Sequence, residues 1–167
     1  MKVPEPLQQV QFDLWAQAAS YKSFIEAATI ALLSYIGYAD FRDLKIRNES
    51  LVLLLALYCL YALPQRSAIN ILFDVLYAII VFGFLLVPYA RRLIGGGDVK
   101  LLAVACLWTG THCALVFSGA LLVFIVLHLA ALRTHSIVAR NGNNVQLMPY
   151  GPSVAAALIS ALLLGCI

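Results

Sequence analysis

From Ile69 to Pro88 the chain carries one charged side chain, Asp74, in a stretch otherwise made almost wholly of aliphatic and aromatic residues. A helix needs about 20 such residues to cross a bilayer, because each residue advances about 1.5 Å and the hydrocarbon layer is about 30 Å thick. Further apolar runs flank this one, so candidate spans fall at about 23–39, 49–63, 69–88, 98–110, 113–132 and 149–166. The second and fourth are short for a bilayer. Composition closes off the soluble alternative. Only 11% of the 167 residues are charged and 63% are hydrophobic, where an average soluble chain has about 25% and about 45–50%. Mean hydropathy is +0.92. Too few polar side chains remain to clothe a globule, which excludes a soluble enzyme, a disordered protein and, despite a net charge of +3, a nucleic-acid-binding protein.

The expected fold is therefore all-α, a polytopic membrane bundle of about six transmembrane helices. Residues 1–22 form a separate polar segment ahead of a single transmembrane domain over 23–167. Within that segment Leu7, Val10, Leu14 and Ala18 fall at helical spacing beside Trp15, the pattern of a short interfacial helix. A signal peptide's order of basic stretch, apolar run and small-residue cleavage site does not occur there. The cysteines, Cys59, Cys106, Cys113 and Cys166, form no C-x-x-C pair. They are expected to be plain buried or lipid-facing thiols, with no metal site.

The connections between spans are brief, and their charge is uneven. The first, third and fifth hold Arg42, Lys45, Arg47, Arg91, Arg92, Arg133 and Arg140, while the second and fourth hold only Arg66. Basic residues in short loops mark the cytoplasmic side. The odd connections then face the cytoplasm and both termini face outward.

Position separates the eight acidic residues. Glu5, Asp13, Asp43 and Glu49 lie in polar or basic segments where solvation or salt bridges suffice. Glu26 and Asp74 lie near outer helix ends, where structural roles are expected. Asp40 closes the first span and Asp98 opens the fourth, so the charge-derived orientation brings both to the cytoplasmic end. Ionisable groups at membrane depth are costly and raise a functional hypothesis. Two adjacent carboxylates can share one proton, so that one draws a proton from water while the other polarises a peptide carbonyl. The plainer reading is that both merely end helices, with Asp98 as an N-cap. Three glycines in Gly95-Gly96-Gly97-Asp98 favour the first reading. They let backbone or substrate approach where a Cβ would clash, and they permit a non-helical stretch lining a cavity.

Two blocks resemble the GxGD membrane aspartyl proteases, and among them the type IV prepilin peptidases. Asp40-Phe41-Arg42-Asp43-Leu44-Lys45-Ile46-Arg47-Asn48 is similar to D-x-R-x-x-x-I-P-N, with Arg47 where the family has proline. Gly95-Gly96-Gly97-Asp98-Val99-Lys100-Leu101 matches G-x-G-D-x-K-L, and Met148-Pro149-Tyr150-Gly151-Pro152 resembles the opening of the family's last helix. The resemblance covers about 23–166 and is closest to the small forms serving tight-adherence pili.

It implies an aspartic endopeptidase in a bacterial inner membrane, with Asp40 and Asp98 as the catalytic pair. Its substrate would be a prepilin, whose short basic leader is removed after a glycine at the cytoplasmic face for pilus biogenesis. Gly95, Gly97, Lys100, Arg42 and Asn48 would form a supporting active-site loop. No cofactor and no metal are implied, and the partners are the prepilin and the lipid bilayer. The larger members' methyltransferase domain, with its paired C-x-x-C motifs, has no counterpart in the sequence.

Around the pair, Lys100 falls about 200° round a helix from Asp98, so it reads as an interfacial anchor or as a contact to another helix or substrate. Asn48 reads as a cap of the second helix. Arg42 either tunes Asp40 or serves topology alone. His128, near the inner end of the fifth span, reads as a packed, hydrogen-bonded side chain. Two other functions compete with the prepilin peptidase. One is a GxGD protease for another membrane substrate, of preflagellin or signal-peptide type. The other is a small transporter using the aspartates as a proton or cation site, against which stands the lack of an internal repeat.

Overall fold

The computed structural model describes residues 5–43, 46–92, 94–134 and 150–167. These form α1 (Glu5–Asp43), α2 (Asn48–Gln65), α3 (Ala68–Ala90), α4 (Gly96–Thr109), α5 (Ala114–Thr134) and α6 (Gly151–Leu163). No strand occurs among the described residues. The all-helical fold and the six helices of the described residues thus agree with the sequence. Lys45, Arg140, Met148 and Pro149 lie outside the described residues.

The N-terminal segment is helical from Glu5 onward and runs without a break into the first span. At 39 residues α1 extends about 58 Å, well beyond a hydrocarbon layer of about 30 Å. Its apolar portion begins at Ala19, and that portion and α3 are the two helices long and apolar enough to cross a membrane. Shorter apolar helices cover Ala114–Ala130 and Gly151–Leu163.

Two helices form the centre. α6 packs against α1 and α5, and α4 packs against α3, α2 and α6. Leu101, Ala105 and Trp108 of α4 and Ala157, Leu158 and Ala161 of α6 are wholly buried. Trp108 donates its indole N–H to the Leu54 carbonyl (3.1 Å) and meets the rings of Tyr58 and Tyr61. A central helix has protein rather than lipid around it and need not match the bilayer's thickness. This accounts for the shortness of α4, 14 residues or about 21 Å. The outer helices show the reverse pattern: Phe84 of α3 is 77% exposed and Leu115 of α5 89%, as suits a surface that meets lipid.

Each end of the bundle is tied by its own contacts. At one end Arg66 and Asp74 form a largely buried ion pair (2.5 Å), and Asp74 also accepts from the Thr111 amide. Gly110 sits beside them with φ of +59°, where a Cβ would overlap the Asp74 carboxylate. Lys22 pairs with Glu26 (3.5 Å) and reaches the Ile167 carbonyl. Structural roles for Glu26 and Asp74 are thereby met.

The expectation of four plain thiols fails at this same end: Cys113 and Cys166 form a disulfide. Fifty-three residues separate them, so the topology brings them together and no local spacing announces it. Cys59 and Cys106 are free, one exposed and one buried. Asp40, Asn48, Asp98, Lys100 and Gly151 gather at the opposite end.

Candidate active site

Asp40 lies three residues before the end of α1 and is 4% exposed. One turn earlier, α1 packs on α6 at Gly37, where an added Cβ would stand in ordinary contact, 3.5 Å from both Pro152 Cα and Ala155 Cβ. This approach carries the Asp40 carboxylate onto the start of α6, where Oδ2 accepts the backbone N–H of Gly151 at 3.0 Å. A Cβ on Gly151 would stand 2.6 Å from that oxygen, so residue 151 must be glycine for the bond to form. The first amides of a helix have no partner within it and carry its positive end, which suits them to hold a carboxylate.

Asp98 enters from α4. Gly95 is the N-cap residue, and Asp98 is therefore the third helical residue rather than the cap itself. The Gly95 amide faces its carboxylate, as an acidic side chain at this position reaches back in a capping box. The Gly151 amide faces it as well, and the charges of Asp40 and Asp98 act on one another. Asp40 thus accepts this backbone N–H, and Asp98 lies within electrostatic reach of it. The other Asp98 oxygen, Oδ1, is buried and has no hydrogen-bond partner among the described residues.

The glycines act by size. Gly96 and Gly97 are helical rather than part of an open stretch, and Gly95 has an ordinary extended φ of −69°. Added Cβ atoms would stand 3.2 Å from the Tyr89 ring at Gly96 and 3.1 Å from Ile46 at Gly97. The expected close approach holds; the expected non-helical stretch reduces to Gly95.

The supporting residues divide. Lys100 donates from Nζ to Asn48 Oδ1 at 3.1 Å, joining α4 to α2. This is the interhelical contact considered for Lys100, and it replaces the cap expected of Asn48. Arg47 occupies the N-cap position without a side-chain bond, and Asn48 is the first helical residue. A side chain already drawn to a lysine on the neighbouring helix does not fold back onto its own amides. Arg42 is exposed and forms no ion pair among the described residues.

His128 differs from the sequence reading. Its Nε2 is buried and unpartnered among the described residues, and the ring lies within electrostatic reach of Asp40. The Gly151 amide was missed as a functional group, since a backbone donor leaves no side-chain signal. Only the resemblance of the surrounding Pro-Tyr-Gly-Pro segment pointed there. Among the described residues no cluster of His, Cys, Asp and Glu suits a metal ion.

A helical bundle with apolar outer faces and two acid side chains brought together at one end marks a class: membrane proteins that keep ionisable groups inside the bundle. The type IV leader peptidase family model matches residues 27–167. The chain belongs to the type IV leader peptidase family, and so to a family of peptidases. No curated protein and no solved structure matches the chain.

Proposed function

We propose that the chain is a multi-pass aspartic endopeptidase in which Asp40 and Asp98 cleave the leader of prepilin-like precursors. The observation that carries this reading is that Asp40 accepts the Gly151 N–H while Asp98 lies within electrostatic reach of both. The other acidic residues with described side chains have plain roles: Glu26 and Asp74 are paired, and Asp43 and Glu49 are exposed. Gly151 and Gly95 hold the carboxylates, while Asp98 Oδ1 is buried with no hydrogen-bond partner among the described residues.

Such a pair hydrolyses a peptide without a covalent intermediate. The ionised carboxylate takes a proton from water as its oxygen attacks the scissile carbonyl carbon. The protonated partner gives its proton to the carbonyl oxygen. Collapse of the tetrahedral intermediate returns that proton to a carboxylate, and the departing amine takes the other. The dyad regains its single shared proton.

The site sits at the basic end of the bundle, where Arg91, Arg92 and Lys100 are exposed. The charge rule for short loops supports this as the cytoplasmic end, in keeping with an inner-membrane peptidase. The opposite end carries the Cys113–Cys166 disulfide, and disulfides persist in oxidising compartments outside the cytoplasm. Both observations support one orientation.

The test is co-expression with a precursor whose short basic leader ends in glycine before an apolar helix, with mass measurement of the product. Cleavage after that glycine is expected. An uncut precursor, or a cut within the apolar helix, overturns the substrate assignment.

A further inference from the structure

The inward face of α5 is marked by Phe117, Leu121 and Phe124, three and four residues apart. His128 comes next on this stripe, one turn after Phe124. It lies six residues before the end of α5 at Thr134, about 9 Å along the axis, and within electrostatic reach of Asp40. Its Nε2 is buried without a partner among the described residues.

A ring nitrogen is a full donor or acceptor, and buried polar atoms are almost always bonded. Among the described residues the other unpartnered buried side-chain atoms are Asp98 Oδ1 and the Tyr58 hydroxyl, the latter beside the Arg66–Asp74 pair at the far end. Two such atoms, on α4 and α5, therefore attend the Asp40–Gly151 hydrogen bond. An apolar residue would continue the stripe without leaving a buried nitrogen unsatisfied. A peptide entering the site in extended form brings the complementary need, because its own N–H and C=O groups lack helical partners.

We infer that His128 is a substrate-contact residue whose Nε2 hydrogen-bonds the main chain of the bound peptide beside Asp40. The inference rests on the peptidase reading of the carboxylate pair. His128 holds the peptide and takes no part in the proton transfers. It differs from the Phe117–Phe124 stripe in function while sharing its face.

The test compares wild type, His128→Phe and His128→Gln in lipid vesicles, with a glycine-ended prepilin as substrate. Phenylalanine fills the space without a polar atom; glutamine keeps an amide near the Nε2 position. His128→Phe is expected to lower kcat/KM at least about tenfold, and His128→Gln to stay within about threefold of wild type. Without substrate, His128→Phe is expected to melt about 2–4 °C higher, since it removes an unsatisfied buried group.

Wild-type cleavage by His128→Phe, equal losses in both variants, or a lower melting temperature for His128→Phe would each overturn the inference. A wild-type chain that cuts nothing counts against the peptidase reading alone. The melting comparison then still decides whether His128 is held for a guest.

Discussion

A Cβ on Gly151 would stand 2.6 Å from Asp40 Oδ2, and the atoms behind it are the Asp40 side chain and not the tip of a flexible neighbour. Gly151→Ala must therefore push Asp40 off the amide or push α6 off α1. Displacements of about 1 Å at a reacting group cost on the order of 100-fold in rate. We expect Gly151→Ala to insert normally and to lose at least about 100-fold in precursor cleavage, measured as kcat/KM. Activity near wild type would show that the Gly151 amide does not position the carboxylate. At this scale the sequence was informative about side chains and silent about backbone. Asp40 and Asp98 stood out because charge is rare in the chain, whereas an amide donor looks the same at every position. Asn48 misled for a related reason. Its type suits a helix cap, and only the packing of α2 on α4 reveals that Lys100 claims its oxygen.

α2 and α4 each begin at the site end, and the Lys100–Asn48 hydrogen bond is their polar tie there. Ile46, just before α2, closes on Gly97 in the first turn of α4. The two sequence blocks thus work as a joint that sets where Asp98 stands. Residues acting through one contact show non-additive effects when removed together. Lys100→Met and Asn48→Leu are each expected to lower cleavage about tenfold, and the double variant to lower it no further. Rates that multiply to a hundredfold loss would separate the two residues. Helix number was legible from apolar runs divided by short polar connections. The length of α1 was not, because the weak amphipathic pattern of the first residues resembled a separate surface helix. The shortness of α4 was visible in the sequence, but its cause, burial at the centre of the bundle, belongs to packing.

Across the whole molecule the two ends differ in chemistry. One holds the carboxylate pair among exposed basic residues, and the other holds a disulfide and a buried ion pair. The disulfide escaped the sequence because Cys113 and Cys166 meet only once α5 and α6 are packed. In right-side-out vesicles a membrane-impermeant reductant should release two thiols to an impermeant maleimide, while inside-out vesicles should release none. The reverse pattern would invert the orientation.

The central claim is that Asp40 and Asp98 act together on a peptide bond. Asparagine keeps the size of each side chain but cannot pass a proton between acid and base forms. The direct measurement is the rate of prepilin cleavage by the purified chain in vesicles, for wild type, Asp40→Asn and Asp98→Asn. Each single change is expected to lower the rate by at least about 1,000-fold while the protein still inserts and folds, in line with the several kcal/mol that an acid–base group supplies. Cleavage at the wild-type rate by either variant would contradict the paired-carboxylate mechanism.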